Sequence, residues 1–175
     1  MATELSILAD RLALEDLNSR FCYYLDRCMN AELLELFTSD AHYRHGERRS
    51  LGHEEIAAVF NARNHGSPRT ARHVQTGLLI EVKSSTTAAG SSCCVTFAAD
   101  ALPPVQGTEP LLVADFYDEY VKCDDGQWRI KSRDIERIFV APGNSGPVGM
   151  NTQNVSVSSE SGVACGGAGG GDKNL

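Results

Sequence analysis

This chain is short of basic residues, of long apolar runs and of nucleotide or metal signatures, and each shortage removes a class of function. Its 175 residues carry 16 Lys and Arg against 23 Asp and Glu, a formal net charge of −7, with no run of basic residues. Nucleic acid and anionic membrane surfaces are therefore not expected partners, because both are held by clustered positive charge. No stretch approaches the ~18 consecutive apolar residues that cross a bilayer. The opening Met-Ala-Thr-Glu leads into an amphipathic, acid-containing stretch without the basic region and apolar core of a secretory signal, so a cytoplasmic location is expected. Neither a Gly-x-Gly-x-x-Gly fingerprint nor a P-loop, Cys-x-x-Cys or His-Glu-x-x-His occurs, and no cofactor or metal is expected. His42, His45, His53 and His65 form no metal-ligand spacing.

What is present is the material for one core. An apolar content of 42% over this length supports a single domain, expected over residues 1–142. Six cysteines, at 22, 28, 93, 94, 123 and 165, lie mostly inside apolar patterns and read as small, reduced core residues. Beyond Pro142 the composition turns to Gly, Ser and Asn, so 143–175 is expected to be a tail. The stretch 140–152, with Val140, Val148 and Met150 and with Phe139 just before it, has enough apolar content to cover a pocket.

Apolar residues at three- and four-residue steps, from Leu5 through Leu14, Leu17, Phe21 and Leu25 to Cys28, predict a long helix over about 4–28. A short helix over 32–37, capped by Asn30, would complete a hairpin with it. A short strand near 42–45 and a turn region at 46–52 precede a third helix carrying Ile56, Val59 and Phe60 on one face. From Thr70 the chain reads as four strands, about 70–83, 91–101, 111–123 and 127–140, with Asp124-Asp125-Gly126 as a hairpin turn. Helices followed by a meander of long strands predict an α+β domain, with helices packed on one face of a curved, mostly antiparallel sheet and a pocket at the open end.

Two polar residues stand out against that frame. Asp26 ends the first helix and His73 opens the first long strand, and a carboxylate beside an imidazole makes a base and its orienter. On strict alternation His73 shares a face with Gln75, Gly77 and Glu81 while Val74, Leu78, Ile80 and Val82 point away. A bulge near Gly77 would reverse the downstream faces.

The segments Tyr23-Tyr-Leu-Asp26, Leu36-Phe-Thr-Ser-Asp-Ala41, Leu51-Gly-His-Glu-Glu-Ile56, Arg72-His73-Val74 and Phe116-Tyr-Asp-Glu-Tyr120, with Trp128-Arg-Ile130, resemble the SnoaL-like branch of the NTF2-like superfamily over about residues 5–140. Within it the Asp and His positions resemble those of the cofactor-free lyases: scytalone dehydratase, bile-acid 7α-dehydratase and hexachlorocyclohexane dehydrochlorinase. The resemblance implies an NTF2-like cone and a catalytic set of Asp26, His73 and Arg133, the last lying five residues beyond Trp128. It also implies a homotrimer. Phe21 stands where relatives hold a catalytic tyrosine or lysine, which leaves Tyr23, Tyr24 and Tyr43 to supply a hydroxyl, and no histidine follows His73.

The leading expectation is therefore a lyase acting on an apolar cyclic or aromatic small molecule, eliminating water or halide or cleaving a carbon-carbon bond by a retro-aldol route. Phe21, Tyr23, Tyr24 and Tyr43 would bind that substrate. The alternatives are an isomerase or polyketide cyclase with a carboxylate base, and a non-catalytic small subunit of a ring-hydroxylating dioxygenase. Two-sided apolar character over 111–121, with Leu112, Ala114 and Phe116 on one face and Leu111, Val113 and Tyr117 on the other, fits a homo-oligomer formed through the outer face of the sheet.

Overall fold

A computed structural model describes residues 4–63, 68–107 and 109–142. The order of elements is α1 (Glu4–Asp26), α2 (Asn30–Leu34), β1 (Phe37–His45), β2 (Arg48–Leu51), α3 (Gly52–Ala62), β3 (Thr70–Val82), β4 (Thr87–Ala99), β5 (Pro110–Lys122) and β6 (Trp128–Val140). All six strands form one sheet in the order β2-β1-β6-β5-β4-β3, antiparallel except where β1 runs parallel to β6. The expected α+β class and curved, mostly antiparallel sheet are what the chain adopts.

One face of α1, Leu14, Leu17, Phe21, Cys22 and Leu25, is buried against the sheet. Spacings of three, four, one and three residues keep these side chains on one stripe of a helix. At the centre of the core, Phe21 meets Phe37, Phe60 and Phe116 edge-on at 6.1, 6.5 and 6.3 Å, the arrangement that aromatic quadrupoles favour. The helix stops where Cys28 takes a left-handed conformation, φ 56°, and the N–H of Met29 donates to Tyr24 O at 3.0 Å. Cys28 is disulfide-bonded, so the expectation of six reduced thiols fails there, while Cys22, Cys93, Cys94 and Cys123 are free.

Several boundaries differ from expectation for local reasons. Residues 48–51, read as turn, form β2, since Gly46 at φ 59° allows a two-residue hairpin between His45 and Arg48. The second helix covers 30–34 rather than 32–37, and Asn30 does not cap it: its side chain donates to Asn61 Oδ1 at 2.9 Å and ties α2 to α3. β4 begins at Thr87, inside a Ser/Thr/Ala/Gly stretch that resembled a connection. Small residues are needed there, because a Cβ at Gly90 would lie 3.0 Å from the Tyr120 ring and 3.1 Å from Leu79 O.

The bulge expected near Gly77 is present. Between Thr76 and Leu79 β3 advances three residues while β4 advances two, from Cys93 to Ser91, and Gly77 has φ 63°. It lets Ala71, His73 and Gln75 share the concave face with Leu78 and Ile80 farther along. The tail at 143–175, most of the covering segment 140–152, and His65 lie outside the described residues.

Candidate active site

Asp26 and His73 meet at the open edge of the sheet. Because β3 is the last strand, its outward-facing N–H groups have no neighbouring strand, and α1 delivers Asp26 to one of them. The carboxylate Oδ2 accepts the backbone N–H of His73 at 3.0 Å, and Oδ1 lies 2.6 Å from the ring Nδ1. Both side chains are buried, 5% and 7% exposed respectively. With a carboxylate accepting at Nδ1, the neutral ring carries its proton on that nitrogen and presents the lone pair of Nε2. Burial pulls the His73 pKa down, against the Asp26 hydrogen bond that raises it, and the Arg63 charge adds to the lowering. The imidazole is thereby kept neutral, the form a base needs.

Beside the dyad lies a cavity of about 330 Å³ measured out to its mouth. Phe21, Leu25, Leu112, Phe116 and Ile135 make its apolar wall, and Tyr43, His45, Arg63, His73 and Thr96 its polar one. Its enclosed part is small, so a ring-sized ligand enters by displacing wall side chains. His73 also borders a wider, more open groove between α1 and β3, lined by Glu15, Asn18, Cys22 and Gln75 among others.

The residues singled out in the sequence divide. Asp26 and His73 come together, and Phe21 and Tyr43 face the same cavity. Tyr23 does not: it is half exposed and stacks under Arg27, whose guanidinium lies 3.6 Å from the ring centroid. Two residues along a helix turn about 200°, which puts position 23 opposite Phe21. Tyr24 packs against Tyr23 and the edge of the core and does not line the cavity.

Arg133 is fully buried behind the cavity wall rather than in it. Its Nε and Nη2 donate to the two oxygens of Asp118 at 2.7 Å each, and Nη2 also donates to Asn18 Oδ1 at 2.6 Å. Its guanidinium carbon lies 4.1 Å from the Phe21 ring centroid. Tyr120 donates to Asp118 at 2.7 Å and accepts from Asn18 at 2.9 Å, and Gln75 bridges Asn18 to Ser92. Burial disfavours the guanidinium charge, yet Asp118 outweighs it and holds the Arg133 pKa above its ordinary value. A leaving group held directly by Arg133 is thus corrected to a charge that braces the wall from behind, since carboxylate and amide claim most of its donors.

Sequence reasoning overlooked Arg63. A signal existed: Ile56, Val59, Phe60 and Arg63 follow one helical stripe, so a cation continues an apolar face. Tyr43, expected to bind the substrate, and His45 both stand in the cavity wall. Burial, then Arg137 and Arg63, push the His45 imidazole down to about 4. Burial raises the Tyr43 phenol and keeps its hydroxyl protonated. Among the described residues no group of three or more His, Cys, Asp or Glu side chains is placed to hold a metal ion.

The SnoaL-like domain model matches residues 6–134. The chain belongs to the SnoaL-like domain family. Among solved structures it is similar to a scytalone dehydratase candidate from Novosphingobium aromaticivorans DSM 12444, with TM-score 0.69 and 21% identity over 78% of this chain and 89% of that one. It is also similar to ActVI-ORFA from Streptomyces coelicolor, with TM-score 0.66 and 19% identity over 74% and 97%. LinA matches with TM-score 0.64 and 23% identity over 80% and 95%. At these identities the likeness establishes the fold. No curated protein matches the sequence. No helix among the described residues is long and apolar enough to cross a membrane.

Proposed function

We propose that this chain is a cofactor-independent lyase acting on an apolar cyclic or aromatic small molecule, with His73 as general base and Asp26 as its orienter. The observation that carries this reading is that both Asp26 oxygens accept N–H groups of His73, which leaves Nε2 as the open basic atom beside a mostly apolar cavity. A carboxylate-base isomerase is disfavoured because Asp26 does not line the cavity, whereas His73 does.

In the proposed reaction Nε2 removes a proton from a substrate carbon. The C–H electron pair becomes the new double bond, and the leaving group departs from the adjacent carbon with its own bonding pair. For loss of water, the proton held on Nε2 returns to the departing hydroxide, with the Tyr43 hydroxyl placed to donate a hydrogen bond. Asp26 stabilises the transient imidazolium. Halide loss or retro-aldol cleavage uses the same base with a different leaving fragment. The apolar wall excludes water and orients the ring, supplying what a positioned base alone does not.

The test is single-turnover elimination from bicyclic hydroxylated compounds, followed by ultraviolet absorbance, in the wild type and in His73→Ala. Loss of turnover with an unchanged circular dichroism spectrum supports the reading, and a folded His73→Ala chain with near-native rates refutes it.

The trimer implied by resemblance belongs to the same reading. On the outer face of the sheet Tyr117 and Val74 are half exposed and Leu79 is 70% exposed, apolar side chains that a second copy would cover. Light scattering at micromolar concentration is expected to return a multiple of the 18.9 kDa chain mass, and a monomer mass would count against it.

A further inference from the structure

Arg63 closes helix α3 at its C-terminal end and reaches the cavity beside His73, Tyr43 and His45. Its side chain makes no hydrogen bond or ion pair with any described residue, and Tyr43, Arg69 and Asp26 act on it only through longer-range electrostatics. A helix C-terminus attracts cations, but the carbonyls there receive no hydrogen bond from this guanidinium; the Arg63 backbone N–H serves Phe60 O instead. The acidic group that acts on it is Asp26, whose two oxygens accept from His73. Arg133 differs, because its Nε and Nη2 are paired with Asp118 and Asn18, and its Nη1, though without a partner, is buried behind the cavity wall.

The remaining polar groups of the cavity do not neutralise Arg63. His45 and His73 are held neutral by burial, and the Nε2 of His45 is buried without a hydrogen-bond partner. Burial lowers the Arg63 pKa from its ordinary value, against Tyr43 and Asp26, which raise it. A half-buried cation on the wall of a cavity, with no direct ion pair, is available to a ligand that supplies one.

We infer that the ligand of this cavity presents a phenolate or enolate oxygen and that Arg63 binds it, with Tyr43 and His45 as neighbouring polar groups. This rests on the reading of the cavity as an active site and narrows its substrate class to molecules with an acidic hydroxyl or an enolisable carbonyl. Proton transfer to Nε2 of His73 leaves the substrate's negative charge on oxygen, where Arg63 meets it, and the total charge in the cavity does not change. Arg63 thus stabilises charge that develops as the proton leaves.

The experiment titrates the full chain with 4-nitrophenol, reading the phenolate absorbance band, and with its neutral counterpart 4-nitroanisole by displacement. The wild type is expected to bind 4-nitrophenol in its ionised form and to prefer it over the anisole. Arg63→Gln should weaken binding about 10- to 100-fold, the worth of a charge-assisted hydrogen bond, and Arg63→Lys should restore a large part of it. Turnover of His73→Ala, followed separately, reads the base, whereas 4-nitrophenol binding by Arg63→Gln reads the oxyanion site, so the two failures are told apart. Melting curves of each variant confirm folding. Equal binding by wild type and Arg63→Gln, equal affinity for phenol and anisole, or no binding of 4-nitrophenol to the wild type would each overturn the inference.

Discussion

Two buried charged clusters lie within this sheet, and they differ in what remains unused. Around Arg133, the Asp118 carboxylate, the Asn18 amide and the Tyr120 hydroxyl hydrogen-bond to one another. Around His73, both Asp26 oxygens accept from His73 but the imidazole keeps Nε2 open, and Arg63 makes no hydrogen bond or ion pair among the described residues. The Arg133 cluster, whose partnerless Nη1 is walled off from the cavity, fixes geometry. One with spare bonding capacity beside a cavity has something left to offer a ligand.

The sharpest way to break this comparison is to disable each cluster and ask what is lost. In the open cluster, His73→Ala should lower the chemical rate by the ~10²–10⁴-fold typical of a positioned base while the chain stays folded, with a lowered melting temperature because buried Asp26 loses its ring partner. Asp26→Asn should also be severely impaired, because an amide holds the tautomer poorly and does not stabilise imidazolium. The double variant should lose little more than the worse single one, as expected of groups acting as a unit. Additive losses in single-turnover rates would separate the two residues.

In the Arg133 cluster the expected order is reversed. Arg133→Met should cost about 3–5 kcal/mol of stability, since it strands the buried Asp118 charge. Urea denaturation measures this, and the paired Arg133→Met, Asp118→Leu variant should recover much of it. A folded Arg133→Met chain of native stability but without turnover would move Arg133 back into the chemistry.

The smallest effect is on pH. The His73 and His45 pKa values are both depressed by burial, His45 to about 4, while the unfolded histidines titrate near ~6.5. Their contribution to stability is therefore present above the unfolded value and lost as pH falls through that window. The melting temperature should decline between pH ~6.5 and about 4, and His45→Gln should flatten the decline. For the same reason the acid limb of kcat/KM should lie below ~6.5. A limb at or above that value would mean that imidazolium is favoured in the site.

Residue patterns carried much of this protein in advance. The stripe Leu14, Leu17, Phe21 and Leu25 fixes α1 because an apolar face at helical spacing has one way to be buried. Alternation and turn residues define the long strands, and Gly77 marks the bulge because a residue in the left-handed region there is most easily a glycine. The pair Asp26 and His73 could be named because each sits at the end of its element. β2 was not legible, since Arg48-Arg49-Ser50-Leu51 has no alternating apolar signal, and Gly90 looked like a connection because the Tyr120 ring that requires it is thirty residues away.

Sequence alone therefore settled the elements and most of the residues that face inward, since period and propensity are local properties. Only the tertiary structure decided which charges meet. It put Arg133 against Asp118 instead of against a ligand, turned Tyr23 to solvent on the far side of α1, and left β3 at the sheet edge with an unpaired N–H for Asp26 to accept. It also left Arg63 in the cavity without an ion pair among the described residues. Partner choice among buried polar groups depends on desolvation and distance, and those quantities exist only once the chain has closed around them.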